Sequence, residues 1–157
     1  EYTIALKYEN DSLKIAKEIG CQSSISSSLG SIGNIYRDLE EYETALKYQN
    51  DSLKIQKELG SKDGIAIMFG NIGETYQKIG DFETALKFCS EALKIAKTNK
   101  FITLEAETLK DIAKIYKLQN NHKEAKTNYL LSRRLFEAMK LEKKIEEINQ
   151  EIEKLSL

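Results

Sequence analysis

The sequence predicts an all-α solenoid, a stack of antiparallel helix pairs, from three observations. Residues 1–40 and 41–80 align without a gap and match at 20 positions, and related blocks begin at Asp81 and Asn121. Within each block, apolar residues recur every three or four positions, which is the helical period. Proline is absent, so nothing in the chain forbids long helices. A fixed period of 40 residues is typical of solenoids, in which each unit packs only on its neighbours.

Each block contains two predicted helices, which we call helix A and helix B. Helix A is predicted at about residues 24–38, 64–78 and 103–118, because Ile25, Leu29, Ile32 and Tyr36, like their counterparts later in the chain, step by four, three and four. Helix B carries the apolar residues of 2–13, 42–53 and 82–93. Short turns between the helices force neighbours to run antiparallel.

The predicted turns carry residues that readily adopt a left-handed backbone. Gly20 and Gly60 follow two B helices, and Gly80 and Asn120 lie between helix A and helix B. Small residues also recur inside the helices, at Gly33, Gly73 and Ala113 in helix A and at Ala45, Ala85 and Ala125 in helix B. A glycine inside a helix costs about 1 kcal/mol relative to alanine, so its recurrence indicates close contact between helices.

These residues resemble the signature of the tetratricopeptide repeat. The pattern of that family is a large residue, a small residue after an aliphatic one, and a tyrosine in helix A, followed by alanines around an aromatic residue in helix B. Across the repeats the matching positions are Leu29, Ile32, Gly33, Tyr36, Ala45, Phe69, Ile72, Gly73, Tyr76, Ala85, Ala92, Leu109, Ala113, Tyr116 and Ala125. The period is 40 and not 34, and the usual proline after helix B is missing. Both departures are similar to the long repeats of Leu-Gly-Asn adaptors, kinesin light chains and bacterial signalling proteins.

The resemblance implies a right-handed superhelix, with helix A on the concave face and helix B on the convex face. We expect a repeat array over residues 1–140, with an unpaired helix B at 1–19 and repeats at about 22–59, 62–98 and 101–139. Residues 141–157 form a last helix with an apolar seam at Leu141, Ile145, Ile148, Ile152 and Leu155. We favour a cap that covers the final repeat; a linker or dimerising helix is the alternative.

The exposed face of helix A holds the predicted peptide-binding residues, which are Asn34, Arg37, Asn71, Glu74, Lys78, Lys110, Lys114 and Lys117. Asn34 and Asn71 suit a peptide, because an amide both donates and accepts hydrogen bonds. The three C-terminal lysines lie on one helix face and suit an acidic segment, although a solvated surface is the rival interpretation. Gly30 and Gly70 are counted among the exposed positions; they predict either an open groove floor or, slightly favoured, tight packing between A helices.

The composition argues against several classes of function. A net charge of −1 disfavours a general nucleic-acid binder, and no apolar run approaches the length of a membrane span. We expect no enzyme activity, cofactor or metal, since His122 has no nucleophile or acid cluster near it in sequence. Cys21 and Cys89 are interpreted as reduced thiols of a cytoplasmic protein, and the serines from Ser23 to Ser28 as a helix cap and polar surface.

The sequence therefore predicts a scaffold that binds a peptide or partner protein in its concave groove. The alternative is a regulatory or sensory segment of a larger signalling protein. That alternative predicts a homodimer through the last helix or through the unpaired first helix.

Overall fold

The chain folds into eight helices joined by short turns. The computed structural model describes residues 1–155, and within that range it contains no strand. The helices are α1 (Tyr2–Glu18), α2 (Gln22–Asp38), α3 (Tyr42–Leu59), α4 (Lys62–Ile79), α5 (Phe82–Thr98), α6 (Ile102–Leu118), α7 (His122–Ala138) and α8 (Glu142–Lys154). Each helix packs on the next one along the chain. The predicted all-α class is confirmed, with helix A represented by α2, α4 and α6 and helix B by α1, α3, α5 and α7.

A left-handed residue closes every helix before the next one begins. These residues occur every 20 positions, at Gly20, Glu40, Gly60, Gly80, Lys100, Asn120 and Lys140, with φ between 56° and 91°. The following amide donates to a carbonyl five residues back, as Cys21 does to Ala16 at 3.0 Å. This bond satisfies a helix carbonyl that would otherwise lack a partner. The four turn residues predicted from sequence are confirmed; Glu40, Lys100 and Lys140 carry no such signal.

Stacked aromatic rings join helix A to helix B within two of the repeats. The Tyr36 and Tyr48 rings lie 5.6 Å apart at 7°, and the Tyr76 and Phe88 rings lie 5.7 Å apart at 7°. The third pair lacks this stack, because Asn128 occupies the position of the second ring.

The small residues inside the helices mark the closest contacts between helix A and helix B. A Cβ atom at Gly33 would lie 2.7 Å from Gln49 Cγ and 3.1 Å from the Ala45 carbonyl oxygen. Ala45 itself is fully buried, as are its counterparts Ala85 and Ala125. The recurring glycine and alanine thus let the two backbones approach, as the sequence predicts.

Two of the clustered serines lie in the core. Ser26 is fully buried and its hydroxyl lies 2.9 Å from that of Ser52 on α3. Ser52 Oγ also donates to the Ser26 carbonyl at 2.8 Å. The interpretation of Ser26 as surface was therefore wrong, because its hydroxyl finds a partner on the neighbouring helix.

The last helix packs on the end of the stack. Ile148 is 1% exposed and lies in one apolar cluster with Tyr129 and Phe136 of α7. Two ion pairs tie α8 to α6, from Lys117 to Glu151 at 2.6 Å and from Lys144 to Glu107 at 2.9 Å. This packing supports the capping interpretation, since most of the seam is used inside the chain.

Candidate peptide-binding groove

The A helices form the inner layer of the stack. Helix α2 contacts α4, and α4 contacts α6, across the boundaries between repeats. A curved stack brings its helices closest together on the inner side, so we assign the A helices to the concave face. Their remaining exposed residues line a groove that crosses α2, α4 and α6.

A neutral cavity of ≈ 260 Å³ opens between α2 and α4. Its walls carry hydroxyl, amide and apolar groups and no ionisable side chain. The lining residues are Ser26, Ser27, Gly30, Ser31, Asn34, Gln56, Gly64, Ile67, Met68 and Asn71. Ile67 is 45% exposed, so an apolar side chain stands free beside the polar ones.

A network of polar side chains fixes one end of this cavity. Gln49 of α3 is fully buried, donates to Asn34 Oδ1 at 3.1 Å and accepts from Thr75 Oγ1 at 2.9 Å. Arg37 Nη1 lies 3.4 Å from the same Asn34 oxygen and 2.7 Å from Glu74 Oε2. The network crosses from α2 through α3 to α4, so it sets the spacing between two repeats.

The predicted groove residues of the first two A helices differ in what they offer a ligand. Asn34 commits its carbonyl oxygen to Gln49 and Arg37. Asn71 lines the cavity, and within residues 1–155 no hydrogen bond is made by its side-chain amide. The Arg37 side chain is only 10% exposed and is paired with Glu74. Lys78 is exposed near the end of α4.

The two glycines of the groove floor have different roles. Gly30 is buried, and a Cβ atom there would lie 3.1 Å from the end of Met68 on α4. The prediction that Gly30 is exposed was therefore wrong; the rival explanation, packing between A helices, fits this position. No atom lies within 4 Å of a Cβ built at Gly70, so α4 is open there.

The three predicted C-terminal lysines are each paired with an acid. Lys110 pairs with Glu107, Lys114 lies 2.9 Å from Asp111, and Lys117 lies 2.6 Å from Glu151 of α8. A second cavity, of ≈ 250 Å³, opens here between α6 and α8. The pairing leaves little net positive charge for an acidic ligand.

One position of helix B supplies the groove floor in each repeat, and sequence reasoning missed it. It holds Gln49, then Cys89, then Tyr129, each at most 1% exposed. Burial, together with the Asp111 and Glu74 carboxylates, raises the pKa of the Cys89 thiol to about 12. Burial also raises the pKa of Tyr129, whose hydroxyl has no hydrogen-bond partner among residues 1–155. The signal that could have found this position is its place one turn after the small residue of helix B.

The described residues form no cluster of His, Cys, Asp and Glu that could hold a metal ion. His122 is exposed and its Nδ1 lies 3.3 Å from the Leu155 carbonyl oxygen. Within the same range, none of the helices combines the length and the apolar character that crossing a membrane requires.

Comparison with solved structures places the fold among helical repeat proteins. BtubC (BKLC) from P. vanneervenii superposes with a TM-score of 0.85 at 15% identity, over 99% of this chain and 65% of that one. A Rap protein complexed with Competence and Sporulation Factor gives 0.88 at 16% identity, over 94% of this chain and 42% of that one. A STAND protein with a tetratricopeptide repeat sensor, from Pyrococcus horikoshii, gives 0.77 at 20% identity, over 90% of this chain and 22% of that one. This chain thus spans less than two thirds of each of these proteins.

A search of the curated proteins finds no match. The sequence model of the tetratricopeptide repeat family, in contrast, matches residues 24–98 and 64–138, which together cover most of the chain. The matched segments contain all three A·B helix pairs. The chain therefore belongs to the tetratricopeptide repeat family.

Proposed function

We propose that this chain is a protein-interaction module that holds an extended peptide segment of its partner in the concave groove, centred between α2 and α4. The repeat fold generally serves as a scaffold without catalytic activity. The observation that carries the proposal is the neutral cavity between these helices, with the Asn71 amide uncommitted on its wall.

The groups on the cavity wall suit an uncharged peptide backbone. An extended peptide presents alternating donors and acceptors, which an asparagine amide can match at both of its ends. Gly70 leaves the α4 backbone uncovered, so a ligand can approach it closely. Ile67 offers an apolar contact beside these polar groups. Together they favour a peptide with small or apolar side chains at this end of the groove.

The other predicted groove residues support this site in different ways. Arg37 and Glu74 hold α2 and α4 in place through their ion pair, and Lys78 stands near the end of α4. Lys110 and Lys114 line the second cavity, where a ligand would have to compete with their acidic partners. We therefore assign the principal contacts to the α2–α4 cavity.

Peptide selection followed by substitution tests this proposal. A displayed random-peptide library is selected on the chain, and the affinity of a selected peptide is measured by fluorescence polarisation. Asn71→Ala and Ile67→Ala are expected to weaken binding about tenfold each, which corresponds to about 1.4 kcal/mol. A matched control is Lys47→Ala on the outer helix α3, which is expected to leave binding unchanged. Full affinity in both groove variants would refute the assignment.

A second candidate function is a regulatory or sensory segment within a larger protein. It is favoured by the similarity to a Rap protein complexed with Competence and Sporulation Factor and to a STAND protein with a repeat sensor. Self-association through the terminal helices, and a cytoplasmic location, belong to this candidate as proposals. Light scattering of the whole chain and of a version that ends at Lys140 tests it. A monomer in both cases would count against self-association.

A further inference from the structure

The first helix exposes a face that the same residues bury in the next repeat. Of the 17 residues in α1, 13 are identical to those 40 positions later in α3. Tyr8 is 69% exposed and Ile15 is 58% exposed, whereas their counterparts Tyr48 and Ile55 are half-buried. Ser12 is exposed, whereas Ser52 is buried. We call the face formed by Tyr2, Ala5, Tyr8, Ser12 and Ile15 the α1 outer face.

The contacts made by α3 show what kind of group covers such a face. Tyr48 stacks on Tyr36, and Ser52 bonds to Ser26, both on α2. Ile55 packs in one apolar cluster with other residues of α2. Every one of these partners belongs to a single amphipathic helix. The same residues on α1 therefore fit a helix with the pattern of α2: an aliphatic residue, a small residue and a tyrosine in the same order.

One residue of the α1 outer face region differs in charge and restricts the partner. Glu9 occupies the position of Gln49, whose amide donates to Asn34 Oδ1 of α2. A carboxylate only accepts hydrogen bonds, so a helix on α1 needs a donor at this point, and a basic residue fits best.

The same residue argues against a second copy of the chain. Glu9 lies close to the middle of α1, which spans Tyr2–Glu18. If two α1 helices packed antiparallel about a twofold axis, the two Glu9 carboxylates would meet near that axis. Helix α2 of a second copy is already packed on its own α3. Neither arrangement supplies the missing partner.

We propose that the α1 outer face docks an amphipathic helix of another polypeptide, with an α2-like order of aliphatic, small and tyrosine residues and a basic residue facing Glu9. This surface lies on the end of the stack and is separate from the groove between α2 and α4. Its use does not depend on the peptide-binding proposal.

A synthetic peptide with the sequence of residues 22–38 provides the first probe, since it is the helix that covers α3. Binding to the whole chain is measured by fluorescence polarisation. We expect Tyr8→Ala to weaken binding about tenfold, because the stacking contact and its buried area are lost. The matched control Lys7→Ala changes an exposed neighbour and is expected to have no effect. A peptide carrying Asn34→Lys is expected to bind several-fold more tightly, and to lose that gain against Glu9→Gln.

A fusion keeps the test valid if the free peptide is too short to form a helix. Residues 22–40 are placed directly before Glu1, so that the natural turn of α2 into α3 is repeated in front of α1. We expect a higher melting temperature, with the gain lost on Tyr8→Ala. Absence of both peptide binding and a Tyr8-dependent gain in the fusion would overturn the proposal. A dimer of the unmodified chain that Tyr8→Ala dissolves would also overturn it, since a second copy would then be the occupant.

Discussion

Alanine substitutions at Gly33 and Gly70 are predicted to change stability in opposite directions. Both residues lie inside A helices, so each change gains about 1 kcal/mol of helix propensity. At Gly70 no atom lies within 4 Å of the new Cβ atom, and the full gain is expected. At Gly33 the new atom would lie 2.7 Å from Gln49 Cγ and 3.1 Å from a backbone oxygen.

The magnitude follows from this crowding. Extra carbon atoms in a packed interior cost about 1–3 kcal/mol, so Gly33→Ala is expected to lose up to about 2 kcal/mol net. Gly73→Ala belongs between the two, since its closest contact is the end of the Cys89 side chain at 2.8 Å. In a chain of this size each 1 kcal/mol shifts the melting temperature by about 2–4 °C.

Thermal unfolding followed by circular dichroism at 222 nm measures the order of the variants. We expect Gly70→Ala to melt above the unmodified chain and Gly33→Ala to melt lowest. The reasoning is refuted if Gly33→Ala stabilises the chain as much as Gly70→Ala does, because helix A and helix B would then not be in close contact.

Three further predictions concern buried and paired groups. Cys89, with its pKa raised to about 12, is expected to react with a thiol reagent at pH 8 far more slowly than Cys21, whose pKa is lowered by a hydrogen bond from Ser24; mass spectrometry after timed labelling measures both, and equal rates would contradict the packing of α5. The hydrogen bond from Lys117 lowers the pKa of Glu151 below its usual 4.5, so its contribution to stability is complete above that pH and is lost as the pH falls through the folded-state value; Glu151→Gln is expected to flatten this part of the stability–pH curve, and an unchanged curve would argue against the ion pair. Ser132→Ala removes a buried hydrogen bond of 2.7 Å to a carbonyl of α6 and is expected to cost about 1 kcal/mol in urea unfolding, whereas a neutral result would show that the bond contributes nothing.

Local patterns made the helices predictable from the sequence, because apolar spacing is set within a single helix. The left-handed residue at Glu40 was not predictable in this way. Its side chain carries no turn signal, and its conformation is imposed by the need to end one helix and begin the next within three residues. The period of the repeat, and not the residue type, determines that turn.

The groove was only partly predictable, because its chemistry depends on contacts between helices. Asn34 and Asn71 were placed on the exposed face of helix A, and both line the α2–α4 cavity. Their hydrogen bonds were out of reach, since Gln49 comes from α3 and approaches Asn34 only when the helices pack. Likewise, Lys117 acquires its partner Glu151 only through the position of α8.

Nuclear magnetic resonance mapping of a selected peptide tests the central claim most directly. Backbone amide shifts of the chain are followed as the peptide is added. We predict that the largest changes fall on α2 and α4 around Ile67 and Asn71, with small changes on the outer faces of α3 and α5. Changes concentrated on α3 and α5, with α2 and α4 unaffected, would contradict the assignment of the groove as the binding site.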